Sequence, residues 1–289
     1  MNVATSSYRE HRISAQDGLG LNIRDYGDPL SGRTPLLCLT GLTRNAKDYH
    51  AFAQVHAPRR RVVCPDYRGR GRSGHDPEWR NYRPEIYVQD ALAVMTALGL
   101  PEVVLVGTSL GGILGMALSA ARPTCLKAMV LNDIGPELKA DGASRIAGYV
   151  GKPSVHADFA DAGRALKAQF ERAFPDLSTE EWTAFAERTF IGRADGQVEL
   201  DYDLNLGLAL AEQAKEPRRD LWMLYAGLKD IPTLSIRGAL SDLFSAETQA
   251  RMKQLKPDLE TVVVGNRGHV PMLDEPPCVA ALGTFLDAH

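Results

Sequence analysis

The stretch VLVGTSLGG, residues 104–112, decides how the chain is read. Its apolar start is typical of a buried strand, and Gly-x-Ser-x-Gly between a strand and a helix is typical of a sharp turn that only small neighbours permit. Such a turn holds Ser109 above the sheet edge, where the N-terminus of the next helix favours negative charge. The stretch therefore predicts an exposed nucleophile at Ser109, against the alternative of a glycine-rich turn without chemistry.

Short apolar runs of the same kind recur along the chain. Six strands are predicted from such runs, at 35–40, 61–65, 102–107, 127–133, 232–238 and 259–265. Residues 8–15 and 19–26 are predicted as a further strand pair around the turn Asp17-Gly18. Helical patterns lie between them at 46–55, 84–98, 110–121, 245–255 and 275–287. Nearly continuous apolar strands that alternate with helices indicate a sheet covered on both faces. We predict an α/β fold with a doubly wound, mostly parallel sheet.

One interval interrupts the alternation. Between residues 136 and 225 the strand pattern disappears, and helical segments follow one another at 156–173, 178–190 and 204–215. Ser178 and Glu181 have the spacing of a capping box at the start of the second segment. We predict a helical cap of residues 136–225, inserted after strand 6 into a core domain of residues 1–135 and 226–289.

Composition excludes several classes of function. With 289 residues, a net charge of −3 and a pI near 6.2, the chain has no positive field for nucleic acid or an anionic membrane. No apolar stretch has the length of a signal peptide core or a membrane span. The four cysteines have no CxxC spacing and are interpreted as small buried hydrophobes. We expect a cytoplasmic protein without metal or cofactor, and the oligomeric state stays open.

A serine nucleophile needs a base and an acid that orients the base. His269 follows the last predicted strand in VVVGNRGHVPMLDEP, and it is the candidate base. Two acids compete: Asp242 in the short loop of LSIRGALSDLFS and Asp133 at the end of strand VLND. We favour Asp242, because its short loop of Gly, Ser and Asp would bring a carboxylate to the imidazole, and keep Asp133 as the alternative. With Asp242 as the acid, the order along the chain is Ser, Asp, His.

A developing oxyanion needs two backbone N–H donors. One is predicted at Leu110, the residue after the nucleophile, and the other at Leu42 in the loop CLTGLTRN after the third strand. The side chains of these residues carry no part of the prediction.

Taken together, these motifs resemble the α/β-hydrolase fold family, in its cap-bearing branch of serine esterases, lactonases and C–C hydrolases. The resemblance covers nearly the whole chain, through the Thr-Gly-Leu loop, DYRGRGRSG at 66–74, GTSLGG, RGALSD and GHVPMLDEP. It implies that the 66–74 segment is a structural turn. The family often has His-Gly where this chain has Thr40-Gly41.

The resemblance implies hydrolysis of a small or medium carboxylic ester or lactone through an acyl-enzyme on Ser109. Relatives that place aspartate or cysteine at the nucleophile position are excluded by the serine itself. Hydrolysis of C–C bonds in ring-cleavage products ranks second, because Val270 stands where many such enzymes have an aromatic residue after the histidine. A ligand-binding or signalling protein on the same scaffold is a further alternative. No motif encodes the substrate.

Overall fold

The computed structural model describes residues 8–217 and 219–289. Its strands are β1 (Arg9–Ser14), β2 (Gly20–Tyr26), β3 (Leu36–Leu39), β4 (Val62–Pro65), β5 (Val103–Thr108), β6 (Leu126–Asn132), β7 (Val155–His156), β8 (Phe190–Gly192), β9 (Val198–Leu200), β10 (Thr233–Gly238) and β11 (Glu260–Val264). Its α-helices are α1 (His50–His56), α2 (Pro84–Ala97), α3 (Leu110–Ala121), α4 (Ala140–Tyr149), α5 (Phe159–Phe170), α6 (Thr179–Thr189), α7 (Leu206–Gln213), α8 (Leu221–Ala226), α9 (Ala246–Leu255) and α10 (Pro276–Ala288).

Eight strands form one sheet in the order β1-β2-β4-β3-β5-β6-β10-β11. Strand β2 is antiparallel to both of its neighbours, and the strands from β4 to β11 pair in parallel. The predicted doubly wound, mostly parallel sheet is therefore confirmed. Because the carboxyl ends of β3, β5, β6, β10 and β11 lie at one edge, the loops that follow them converge there.

The sheet is covered on both faces. Along β5, Val103 and Leu105 belong to one apolar cluster, and Val104 and Val106 belong to the cluster on the opposite face. None of these four side chains is exposed. A strand buried on both sides loses the polar alternation of a half-exposed strand, which explains why the apolar runs are continuous.

The segment between β6 and β10 contains the helices α4 to α8 and a small sheet in the order β7-β9-β8. The expectation of a strand-free interval was wrong on this small sheet, whose strands of two or three residues are too short for a periodic pattern. The predicted capping box of Ser178 and Glu181 is present at α6. The helix predicted at 156–173 corresponds to α5, which begins later, at Phe159, because Asp158 is its N-cap.

The division of the chain into core and cap stays a prediction. Two parts of this division lie outside the described residues: residues 1–7 of the predicted core domain and residue 218 of the predicted cap. Residues 1–7 also begin the N-terminal stretch in which no signal peptide is predicted. Residues of the inserted segment pack in two places. Trp182 and Phe174 belong to a cluster of the segment's own, whereas Tyr202 and Leu206 pack into a main cluster of the sheet.

The DYRGRGRSG segment is structural, as the resemblance implied. The guanidinium of Arg68 is buried and donates to the carboxylates of Asp17, Asp76 and Asp90. In addition, no helix within residues 8–217 and 219–289 combines the length and apolar character that crossing a bilayer requires.

Candidate active site

Ser109 occupies the turn between β5 and α3. Its backbone has φ 53° and ψ −115°, and its N–H donates to the carbonyl of Asn132 on β6. The flanking glycines are required by close backbone approach. A Cβ at Gly111 would lie 2.0 Å from the carbonyl oxygen of Leu39, and one at Gly107 would lie 2.6 Å from the backbone of Gly111. The turn therefore presents the serine at the sheet edge, in agreement with the motif.

His269 reaches this serine from the loop after β11. Its Nε2 lies 2.9 Å from Ser109 Oγ, and its side chain is largely buried. The predicted pairing of Ser109 with His269 is thus present in the structure, although the two residues are 160 positions apart in the chain.

The acid that contacts the imidazole is Asp133. Its Oδ2 lies 2.8 Å from His269 Nδ1, and its carboxylate also accepts hydrogen bonds from the N–H of Gly238 at 2.7 Å and the hydroxyl of Ser241 at 2.6 Å. The side chain is completely buried. Because a carboxylate only accepts hydrogen bonds, it fixes the imidazole proton on Nδ1 and leaves Nε2 free to accept from Ser109.

The expectation that Asp242 would orient His269 is corrected by this geometry. The carboxylate of Asp242 accepts two hydrogen bonds from the guanidinium of Arg145 on α4, at 2.5 and 2.9 Å, and it is 37% exposed. The hydrogen bond from Arg145 lowers the pKa of Asp242. The side chain therefore links the loop after β10 to the inserted segment, and Asp133, the alternative kept at the outset, occupies the position beside the imidazole.

The two predicted oxyanion donors flank the nucleophile. Gly41 lies against Ser109, since a Cβ at position 41 would be 3.7 Å from that of Ser109. Among residues 8–217 and 219–289, neither Leu42 N–H nor Leu110 N–H has a hydrogen-bond acceptor. The guanidinium of Arg70 donates to the carbonyl of Leu42 at 2.9 Å and so braces this loop. Both N–H groups are free to bind an anionic oxygen.

Asn132 connects the loops that carry the candidate residues, and the sequence analysis missed it. Its side-chain NH₂ group donates to Pro271 O at 2.9 Å in the histidine loop and to Thr108 Oγ1 at 3.2 Å beside the nucleophile, and its backbone carbonyl accepts from Ser109 N. The residue is buried. A polar side chain at the end of the apolar strand LKAMVLN is the signal that could have indicated it.

These residues open onto a cavity of about 1000 Å³. Ser109, His269 and Leu42 line its floor, and apolar side chains of the inserted segment, among them Phe170 and Phe185, line its wall. Trp182, Trp222 and Tyr225 do not line it and pack in apolar clusters. Across the described part of the chain, no group of three or more His, Cys, Asp or Glu side chains is arranged to hold a metal ion.

Comparison with known proteins identifies the family of the chain. The chain is 31% identical to a 3-hydroxybutyrate-oligomer hydrolase of Cupriavidus necator, over 90% of each chain. It is 27% identical to a 2-(acetamidomethylene)succinate hydrolase of Mesorhizobium japonicum over the full length of both. A crystal structure of an alpha/beta hydrolase from Novosphingobium aromaticivorans superimposes with a TM-score of 0.92 at 38% identity, covering 98% of this chain and 99% of that one. Since the family model for the alpha/beta hydrolase fold also matches residues 34–276, the chain belongs to the α/β-hydrolase family.

Proposed function

We propose that this protein is a serine hydrolase that cleaves carboxylic esters through an acyl-enzyme on Ser109. The observation that carries the proposal is the unbroken relay from Ser109 Oγ to His269 Nε2 at 2.9 Å and from His269 Nδ1 to Asp133 Oδ2 at 2.8 Å. These are the contacts that general-base activation of a hydroxyl requires. A pure binding protein has no need of them.

In the first half-reaction, His269 takes the proton of Ser109 as the hydroxyl oxygen attacks the ester carbonyl. The imidazolium that forms is stabilised by the buried carboxylate of Asp133, which keeps its own negative charge. His269 then gives the proton to the leaving alcohol, and the acyl group remains on Ser109. In the second half-reaction, His269 activates a water molecule that attacks the acyl-enzyme and releases the acid.

The negative charge that develops on the carbonyl oxygen in both steps is assigned to the N–H groups of Leu42 and Leu110. Each such donor typically lowers the barrier by about 3 kcal/mol. Helix α3 begins at Leu110, and its N-terminal dipole acts in the same direction. Because the braced loop already holds the Leu42 N–H without an acceptor, no reorganisation is needed when the charge forms.

The substrate we propose is a small or medium acyl ester held in the cavity over Ser109. A volume of about 1000 Å³ accommodates a small linear oligoester as well as a simple ester. The relative named for hydrolysis of 3-hydroxybutyrate oligomers supports short hydroxy-acid oligoesters as the first substrates to assay. Lactones belong in the same panel, because ring-opening of a cyclic ester needs the same attack and the same oxyanion donors.

The proposal is tested by labelling the intact protein with a small fluorophosphonate and measuring its mass. We expect one adduct on Ser109, none in Ser109→Ala, and hydrolysis of p-nitrophenyl acetate that the same substitution abolishes. Arg193→Ala, at an exposed position outside the cavity, is the control for handling of the variant proteins. A folded wild-type protein that neither takes the label nor hydrolyses any ester of the panel would refute the assignment.

We also propose a cytoplasmic location. All four cysteines are buried free thiols, which is typical of proteins that fold in a reducing compartment. Cell fractionation of the natural host with an antibody against the protein tests this assignment, and recovery outside the cytoplasm would refute it.

A further inference from the structure

Two arginines and one aspartate form a cluster on the cavity wall. Arg44 follows the loop that carries Leu42, and Arg188 lies in the last turn of α6. Both guanidinium groups lie near the ring of Phe185, at 4.9 and 5.6 Å from its centroid. Asp48 contributes the carboxylate of the cluster. Two cations therefore share one anion at the edge of an apolar cavity.

The single carboxylate is used by Arg44. Its Nε and Nη2 donate to the two oxygens of Asp48 at 2.7 and 2.5 Å, and its Nη1 donates to Thr189 Oγ1 at 2.6 Å. Arg188 Nε stays 3.8 Å from Asp48, beyond hydrogen-bond distance. All three guanidinium nitrogens of Arg44 therefore already donate to acceptors within the protein.

Arg188 has no equivalent partner. Within residues 8–217 and 219–289 its guanidinium forms no hydrogen bond, and its side chain is only 31% exposed. Burial is the largest effect on the pKa of Arg188 and lowers it; Asp48 opposes this shift, and the neighbouring Arg44 cation adds to it. The guanidinium of Arg188 therefore keeps its donors available to an acceptor that enters the cavity.

Other charges on the wall do not supply that acceptor. Glu187 and Asp274 line the cavity near Arg188, but both side chains are exposed to solvent and neither forms an ion pair with it. The other arginine of the wall from the inserted segment, Arg145, is held by Asp242.

We propose that Arg188 binds a carboxylate of the substrate, so that the enzyme prefers esters that carry a free acid group at the end remote from the scissile bond. The inference rests on the proposed esterase function and names its substrate class. A guanidinium matches a carboxylate with two parallel hydrogen bonds, which a neutral ester group cannot reproduce.

The position of Arg188 relative to the nucleophile fits this role. A Cβ at Gly41 would lie 3.7 Å from Cβ of Ser109 and 3.4 Å from Cγ of Arg44. Arg188 and Arg44 approach the same carboxylate, Asp48, and the same ring, Phe185. Because Ser109 and Arg188 line the same cavity from different elements, the substrates to compare carry a spacer between the ester and the free acid.

The experiment compares charged and neutral esters of the same length. The half-esters of p-nitrophenol with adipate, pimelate and suberate carry a free carboxylate, and their methyl esters do not. Both members of each pair release p-nitrophenolate, so kcat/KM is measured by one assay. We expect wild type to prefer one of the acids over its methyl ester by about tenfold or more, as hydrogen bonds to a charged group allow. Arg188→Gln should remove most of that preference through KM.

Arg164→Gln is the matched control, because it removes the same charge from the inserted segment at a side chain that is 67% exposed and outside the cavity. It should keep the wild-type preference. Arg188→Lys keeps the charge without the planar fork and should retain part of the preference. If Arg188→Gln is insoluble, Arg188→Met, which keeps a long side chain without the charge, is compared with wild type on the same ester pairs and should lose the same preference.

The outcomes separate the two proposals. A wild-type protein that takes no fluorophosphonate label and cleaves neither member of any pair refutes the esterase function. A wild type that cleaves both members equally, or a preference that Arg188→Gln leaves intact, overturns the role of Arg188 and leaves the esterase function standing. In the fallback experiment, a preference that Arg188→Met leaves intact overturns it as well.

Discussion

Replacing Asp133 by asparagine should stop turnover, whereas the same change at Asp242 should barely affect it. In the structure, Asp133 Oδ1 accepts from Gly238 N, and Oδ2 accepts from both Ser241 Oγ and His269 Nδ1. An asparagine has one oxygen and one NH₂ group for these three donors. The backbone at position 133 has φ 52°, a conformation that asparagine tolerates well, so the substitution changes hydrogen bonding without adding backbone strain.

Either orientation of the new amide damages the site. With its oxygen toward Gly238, the NH₂ group faces His269 and stabilises the tautomer whose proton is on Nε2, which cannot accept a proton from Ser109. With the amide reversed, the NH₂ group faces the N–H of Gly238, and a buried donor is left unpaired. The wrong tautomer in a triad of this kind lowers kcat by about 10⁴-fold. We expect a loss of that order in Asp133→Asn.

Asp242→Asn removes a half-exposed ion pair with Arg145, and exposed pairs of this kind are worth about 1 kcal/mol or less. Turnover should therefore change by less than about tenfold. The assay is kcat on p-nitrophenyl acetate for both variants, with thermal unfolding followed by circular dichroism to confirm that each is folded. A larger loss in Asp242→Asn than in Asp133→Asn would refute the reasoning and return the acid to position 242.

Three further predictions follow from the contacts. Asn132→Leu should lower kcat and leave KM nearly unchanged. The control is Gln249→Leu, which removes a similarly buried amide bound to Ser235 O and Oγ and should lower only the melting temperature. Equal losses of kcat in the two variants would contradict a positioning role for Asn132. Wild type should have a larger free energy of unfolding than Asp242→Asn at pH values above 3.8, the ordinary pKa of the carboxyl group. This difference should be lost as the pH falls through the lowered pKa of folded Asp242. Urea unfolding of both proteins across this pH range measures it, and a difference that does not change with pH would contradict the prediction. Gly111→Ala should prevent normal folding, since its Cβ would lie 2.0 Å from a carbonyl oxygen. The control is Gly148→Ala in α4, whose Cβ meets open space and which should raise the free energy of unfolding by about 0.5–1 kcal/mol. A soluble Gly111→Ala protein with the melting temperature of wild type would contradict the geometry.

The sequence was sufficient for the sheet and for two of the three relay residues. The six parallel strands were predictable because each is short, apolar and bounded by turn residues, and β1 and β2 were predictable as a pair around the turn Asp17-Gly18. Ser109 and His269 were predictable because their loops follow strands whose carboxyl ends meet at one edge. Glycine at positions 107 and 111 reports a close backbone approach that no other residue allows.

The acid was not predictable, and the reason is local. Strands β6 and β10 are parallel neighbours, with Asn132 paired to Ile236, so the residues that follow both strands emerge at the same edge. Which carboxylate turns toward the imidazole depends on the backbone turn at Asp133 and on what else binds Asp242. The competitor for Asp242 is Arg145, which lies on α4, a helix that the sequence analysis did not predict. Asp242 was preferred for its short loop, and the arginine that binds its carboxylate lies on a helix that was not predicted.

The carboxylates of Asp133 and Asp242 have different roles because their surroundings differ. Asp133 is completely buried and accepts three hydrogen bonds from the loops that hold the imidazole, so its charge is fixed where an imidazolium would form. Asp242 is partly exposed, and its only side-chain partner among the described residues is a guanidinium from the inserted segment. An ion pair screened by water can break and re-form at little cost, whereas the buried relay cannot. It follows that loss of the Arg145–Asp242 ion pair should leave the contacts of Asp133 with His269, Gly238 and Ser241 in place.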